Sequence, residues 1–189
     1  MKQKIDPEQI NLKSFEFKKD LSPKIWEDNK LKPHVRKRLL NIAKEFLDTT
    51  GLDIIPVDIV LVGSIAAFNW SKYSDIDLHV IVDFASLNDD VELVKNYLYA
   101  KKCAWNDKHK DLRIYGYDVE LYAQDISEEN VSNGVYSIKY NYWIKFPKFE
   151  HNKLKNKLIK DTASLYINKI EYYNNKFNEL TNDKSFLLL

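Results

Sequence analysis

The apolar positions of this chain fall into runs of different period, and the changes of period mark its elements. Behind Pro33, a residue suited to the first turn of a helix, Val35, Leu39, Ile42, Ala43 and Phe46 recur at helical spacing, and Gly51 follows where a left-handed residue ends the helix. Asp58 to Val62 (DIVLV) is nearly continuously apolar, as in a strand buried on both faces, and Ile76 to Val82 reads as a second strand. Between them, Ser64 to about Trp70 is predicted as a short helix. Asn88 can cap a helix through roughly Ala104, with Val91, Val94, Tyr97 and Leu98 facing inward. Leu112 to Tyr115 and Tyr117 to Ala123 read as an antiparallel pair or one strand bent at Gly116. Val135 to Phe146 is aromatic and alternating, strand or irregular, and Pro147 closes it. From about Asn152 to Leu180, the positions Leu154, Leu158, Leu165, Tyr166, Ile170, Tyr173, Phe177 and Leu180 trace one long helix or two shorter ones. Ahead of Pro33, short segments are punctuated by Pro7 and Pro23, and Phe15, Phe17, Ile25 and Trp26 are expected to pack back on the core. The tail KSFLLL is apolar enough to dock.

These elements predict an α+β chain, and 189 residues suffice for one catalytic domain with helical flanks. The expected division is an N-terminal helical flank over 1–50, a core over 51–126, and an aromatic segment with a C-terminal helical region over 127–189. An aromatic share of 13% argues against a disordered chain. The single cysteine, Cys103, excludes an internal disulfide framework and fits a reducing compartment. The histidines His34, His79, His109 and His151 lack zinc-ligand spacing. No segment has the length of a signal-peptide core or a membrane span, so the expectation is a soluble cytoplasmic protein. The net charge of +1 conceals +5 over residues 1–40, −9 over 41–137 and +5 over 138–189. An acidic centre between basic flanks suits carboxylates for cations and lysines for anions, although Lys-rich helices are also simply soluble.

The candidate chemistry lies in Val57 to Phe84. A strand runs into Gly63-Ser64, where glycine lets a phosphate approach the backbone, a helix start offers N–H groups, and Ser64 adds a hydroxyl. Eleven residues after Ser64 comes Asp75, and Asp77 follows two later. Strand alternation points both carboxylates one way, about 7 Å apart along the chain. Side by side in a mostly apolar strand they repel and lose hydration, a cost that a cation removes; Mg²⁺ takes carboxylate and triphosphate oxygens together. A two-metal site needs a third carboxylate on a neighbouring strand. YGYDVELYAQD offers Asp118 and Glu120 on one face; Glu120 is preferred as more central and deeper, with Asp118 beside the Gly116 bend.

Gly63-Ser64 followed by SDIDLHV (Ser74 to Val80) resembles the signature of the DNA polymerase β-like nucleotidyltransferase superfamily, over about residues 57–123. Its members include aminoglycoside adenylyltransferases, small bacterial MNT antitoxins, CCA-adding enzymes and 2′-5′ oligoadenylate synthases. The resemblance implies a short mixed sheet flanked by helices and binding of a nucleoside triphosphate such as ATP. It assigns Gly63, Ser64 and Ser74 to the nucleotide, and Asp75 and Asp77 to the metal, with Glu120 where the superfamily often has Asp. Two Mg²⁺ ions are implied, for which Mn²⁺ can substitute. Leu21 to Phe46 and Asn133 to Pro147 are similar to pieces of nucleotidyltransferase-like proteins of large tailed phages, which would place the protein in the host cytoplasm.

The implied activity is transfer of a nucleoside monophosphate from an NTP to an acceptor hydroxyl, releasing pyrophosphate. The acceptor (small molecule, RNA or protein) and the oligomeric state stay open. The rival reading is a catalytically silent fold serving as a binding, antitoxin-like or assembly module, and a weaker one is a nucleic-acid binder. Several other residues have both a functional and a structural reading. His79 can touch substrate or be a structural histidine, and Lys72 and Tyr73 can close over phosphates or form a solvated loop. Trp143 and Tyr140 can stack on a base or pack in the core, Lys139 or Lys145 can meet the triphosphate, and Arg36, Lys37 and Arg38 can meet RNA or water.

Overall fold

The computed structural model describes residues 6–12, 16–149 and 156–182. Phe15, Leu154 and the KSFLLL tail, all singled out in the sequence, lie outside the described residues. By internal contacts the chain divides into residues 15–150 and a second unit of residues 1–14 with 151–189.

The larger unit begins with a two-residue hairpin not foreseen from the sequence, β1 (Trp26–Glu27) and β2 (Lys30–Leu31), joined through Asp28 and Asn29 at positive φ. Helix α1 (Pro33–Thr50) follows with proline in its first turn and ends on Gly51 at φ 72°, ψ 11°, as predicted. Its buried stripe includes all five positions read from the pattern, Val35, Leu39, Ile42, Ala43 and Phe46.

The main sheet comprises β3 (Asp58–Val62), β4 (Ile76–Val82), β5 (Arg113–Ile114), β6 (Tyr117–Asp125), β7 (Val135–Ser137) and β8 (Tyr142–Lys145), in the spatial order β5-β6-β4-β3-β7-β8. Only β4 and β6 are parallel, and a parallel pair needs a long crossover, supplied by α2 (Val91–Lys108). All five β3 residues are buried. In β4, Ile76, Leu78, Val80 and Val82 join the main core with α1 and α2, while Asp77, His79 and Ile81 face the other way and are half-buried. On that second face Val60, Val62 and Val135 form a small apolar cluster with Ile81.

Three local readings are corrected. Helix α2 starts at Val91, and its cap is Asp90, whose side chain accepts from the Leu93 N–H; the Asn88 side chain is engaged with the Asp90 N–H instead. Its inward side is Val94, Leu98 and Trp105, whereas Val91 and Tyr97 are exposed. The segment after Ser64 is a single 3₁₀ turn, Ser64–Ala66, and Ala67 is already extended, so no helix reaches Trp70. The reading of Val135 to Phe146 as strand or irregular holds, in the form of the hairpin β7–β8, which extends the sheet beside β3.

In the smaller unit, a 3₁₀ turn (Pro7–Gln9) is capped by Asp6, and α3 (Asn156–Asn182) is one continuous helix. Lys160 of α3 pairs with Glu8 at 2.7 Å. Among the described residues, no helix is long and apolar enough to cross a membrane.

Candidate active site

The open face of β4 places Asp77 beside Val62 of β3 on one side and Glu120 of β6 on the other. Asp75 lies one residue before β4 and joins them: one carboxylate oxygen from each of Asp75, Asp77 and Glu120 lies within 4.8 Å of the others. The parity argument from the sequence required Asp75 and Asp77 to share a face, and they do. Asp118 stands apart, paired with Arg113 across the β5–β6 hairpin. Depth does not distinguish the two β6 carboxylates, because the Glu120 and Asp118 side chains are 57% and 58% exposed. Register does, since Glu120 is the residue directly opposite Asp77.

The electrostatics of the trio are those of an unneutralised acidic site. The Asp77 carboxyl is pushed up to about 6, first by burial, then by Asp75 and Glu120. Lys102 of α2 approaches the trio from one side, its Nζ 4.0 Å from Glu120 Oε1. Three clustered oxygen donors of which one is partly desolvated fit a hard divalent cation such as Mg²⁺ or Mn²⁺.

Gly63 joins β3 to the 3₁₀ turn at φ 75°, ψ −165°, a region open essentially to glycine alone. A Cβ there would lie 1.8 Å from Asp77 Oδ2. Ser64 and Ser74 are also brought together, their hydroxyls hydrogen-bonded at 2.7 Å, and Ser74 Oγ accepts from the Ser71 N–H. The turn is fixed from behind, with Trp26 Nε1 donating to the Ile65 carbonyl at 2.9 Å and Gly134 packed so tightly that a Cβ would meet the Ala66 oxygen. With one 3₁₀ turn in place of a helix, the macrodipole contribution expected from the sequence is absent, and glycine backbone and serine hydroxyls are what this loop offers.

His79 continues the acidic face. Its Nδ1 donates to Gln124 Oε1 at 2.7 Å, while the Gln124 amide nitrogen donates to the Glu128 carbonyl, which fixes the amide's orientation. Burial is the first cause holding the ring below its usual pKa, so the neutral ring presents Nε2 as an acceptor. Asp77, His79, Glu120 and Tyr122 line a cleft of about 200 Å³.

Other candidates are committed to structure. Trp143 stacks on Trp26 at 4.8 Å and donates to the Asn29 carbonyl. Lys145 donates to the Ser132 carbonyl and Lys139 to the Pro56 and Val57 carbonyls. Arg36 clamps the carbonyls of Ile138 and Lys139, which removes it from the surface patch read at 36–38. Sequence reasoning missed Lys102, Tyr122 and Asn106. Tyr122 shares the parity of Glu120 and was legible on that ground. Asn106 was not: its amide pairs with both the N–H and the carbonyl of Leu121, holding β6 next to Glu120.

The fold and this acidic face are those of a nucleotide-transferring enzyme. Residues 36–184 match the sequence profile of the nucleotidyltransferase domain, and the chain belongs to that family as a nucleotidyltransferase. Among solved structures it is similar to a "putative nucleotidyltransferase" from Sulfolobus solfataricus, at 15% identity and a TM-score of 0.32, covering 57% of this chain and 87% of that one. Membership rests on the sequence match and not on so distant a likeness. No curated protein matches the chain significantly.

Proposed function

We propose that the enzyme transfers a nucleoside monophosphate from an NTP such as ATP to an acceptor hydroxyl, with two divalent ions, Mg²⁺ or Mn²⁺, as cofactors. The observation that carries this reading is the convergence of Asp75, Asp77 and Glu120 within 4.8 Å, directly against the glycine that precedes Ser64. Asp75, Asp77 and Glu120 are the residues that would hold the metal. When bound, divalent ions neutralise carboxylate and phosphate oxygens and lower the pKa of a hydroxyl.

The chain's own residues divide the remaining work. Gly63, whose missing side chain leaves room for the Asp77 carboxylate, brings the loop backbone beside the metal-holding residues to meet the triphosphate, and the linked hydroxyls of Ser64 and Ser74 supply donors to phosphate oxygens. Glu120, more exposed than the two aspartates, is placed to accept the acceptor's proton. The acceptor oxygen forms a bond to the α-phosphorus, the bond from that phosphorus to the β-bridging oxygen breaks, and pyrophosphate leaves. All six of these residues fall within 51–126, which we retain as the catalytic core between the flanks 1–50 and 127–189.

The test is calorimetric titration of a non-hydrolysable NTP with and without Mg²⁺ or Mn²⁺, on the wild-type chain and on Asp75→Ala and Asp77→Ala. Metal-dependent binding that both substitutions abolish is the expected result. Indifference to metal and to both substitutions would favour the silent binding module instead.

A further inference from the structure

One face of α2 carries Lys95, Tyr99 and Lys102 at helical spacing, turned away from the buried Val94, Leu98 and Trp105. With Asn96 and with Tyr122 and Glu128 they line a cleft of about 250 Å³. Tyr122 is shared with the acidic cleft of Asp77, His79 and Glu120, so the two clefts adjoin.

Lys102 is the unusual member. Its side chain is only 16% exposed, and its ammonium sits 5.5 Å from the ring centroids of both Tyr99 and Tyr122. Its ion-pair partner Glu120 is at 4.0 Å, beyond hydrogen-bond distance, and among the described residues Lys102 donates no hydrogen bond. A lysine whose stem is packed and whose ammonium stands at a cleft with three unused donors is placed to meet an anion. Glu128 lines the same cleft, and among the described residues no ion pair joins it to Lys102.

The order across the sheet says which substrate that anion belongs to. Gly63-Ser64 stands at the end of β3, Asp77 on β4, Glu120 on β6, and Lys102 beyond Glu120 on α2. The triphosphate loop and Lys102 are on opposite sides of the carboxylates. We propose that the acceptor is a small hydroxyl compound bearing a phosphate, which Lys102 and Lys95 hold while Tyr99 and Tyr122 pack against the acceptor's body. This inference rests on the nucleotidyl-transfer reading and names its second substrate class. Lys102 is thereby a specificity-determining residue, selecting anionic over neutral and cationic acceptors.

The test is calorimetric binding of three probes (ribose 5-phosphate, glycerol 3-phosphate and a nucleoside 5′-monophosphate), each against its phosphate-free parent, with glucosamine as the cationic control. The proteins are the wild type, Lys102→Met and Lys102→Arg. At least one phosphorylated probe is expected to bind about 10-fold or more tightly than its parent, as a charge-assisted contact implies. Lys102→Met should erase that preference and Lys102→Arg retain most of it, with no loss of metal-dependent NTP binding in either. Equal binding of every probe and its parent, or tighter binding of glucosamine, overturns the proposal. So does a preference that survives Lys102→Met, or a Lys102→Met loss of NTP affinity, which would assign the lysine to the triphosphate. Binding of an oligonucleotide but of none of the small probes overturns it in favour of a nucleic-acid acceptor. If the wild type binds no NTP, it is the transfer reading that has failed, and the probe titrations still report on the anion subsite.

Discussion

The α-carbon of Gly63 and the carboxylate of Asp77 occupy adjoining space, such that a methyl group on Gly63 would lie 1.8 Å from Asp77 Oδ2. The glycine is therefore required twice, by its backbone at φ 75° and by the acidic side chain packed where its own would be. The loop before Ser64 and the central carboxylate of the site are a single steric unit.

Gly63→Ala is accordingly expected to destabilise the protein by about 1–3 kcal/mol from backbone strain alone, and to displace Asp77. Metal-dependent NTP binding should be lost. Because the clash is with one side chain, Gly63→Ala and Asp77→Gly should be non-additive, the double variant being more stable than the sum of the singles implies. Urea unfolding of the four proteins measures this, and strict additivity would deny the clash.

Asp77 also sets a pH dependence. Its carboxyl is raised from an ordinary 3.8 to about 6 in the folded state, so between those values the folded chain binds more protons than the unfolded one. Stability in a chelator should then fall as pH rises from about 4 to 6 and level off above. Asp77→Asn should flatten that slope and raise the melting temperature at pH 7.5. Mg²⁺ or Mn²⁺ competes with the proton, so the stabilisation by metal should be small at pH 5 and grow towards pH 7.5. Melting curves with EDTA and with excess metal across this range provide the check.

Glu120→Gln is expected to slow transfer by about 10²-fold or more, the size of a lost general base, while sparing NTP binding. Asp118→Asn should be much milder, because Asp118 faces Arg113 at the edge hairpin and not Asp77. Single-turnover rates measure the two directly, and the reverse ranking would contradict the β4–β6 register.

Ser137→Ala tests the support of the sheet away from the site. Asp58, buried at the start of β3, accepts from Ser137 Oγ at 2.8 Å and from the Ile59 N–H at 2.7 Å, and burial raises its carboxyl despite both. Removing the hydroxyl should cost about 1–3 kcal/mol, as for a buried acceptor losing a partner. Thermal unfolding should show this with NTP affinity unaltered.

How much of this was legible in the chain follows the range of each interaction. Pro33 and Gly51 bounded α1, and apolar parity put Ile76, Leu78, Val80 and Val82 in the core with Asp75 and Asp77 opposite, because these features depend on neighbours a few residues away. The α2 cap was misplaced by two residues because Asn88 and Asp90 are equally good caps locally, and only the folded chain chooses. The helix expected after Ser64 was lost to tertiary anchors: Trp26 and Gly134 hold Ile65 and Ala66, and the Phe68 carbonyl accepts from the Lys18 N–H, so the chain turns away after one 3₁₀ turn.

By itself, then, the sequence determined the α+β class and offered Gly63, Ser64, Asp75, Asp77 and Glu120 as candidates, since local period and spacing carry that information, while the nucleotidyltransferase family and the part of Ser74 came from the resemblance of its motifs. Only the tertiary structure decided which β6 carboxylate stands against Asp77, why Gly63 admits no side chain, and that Lys102 waits beside Glu120. Those depend, in turn, on the register of the parallel β4–β6 pair, on the antiparallel β3–β4 pair and on a helix laid across the sheet. These are contacts between residues 14 to 43 positions apart, pairings for which local sequence has no period.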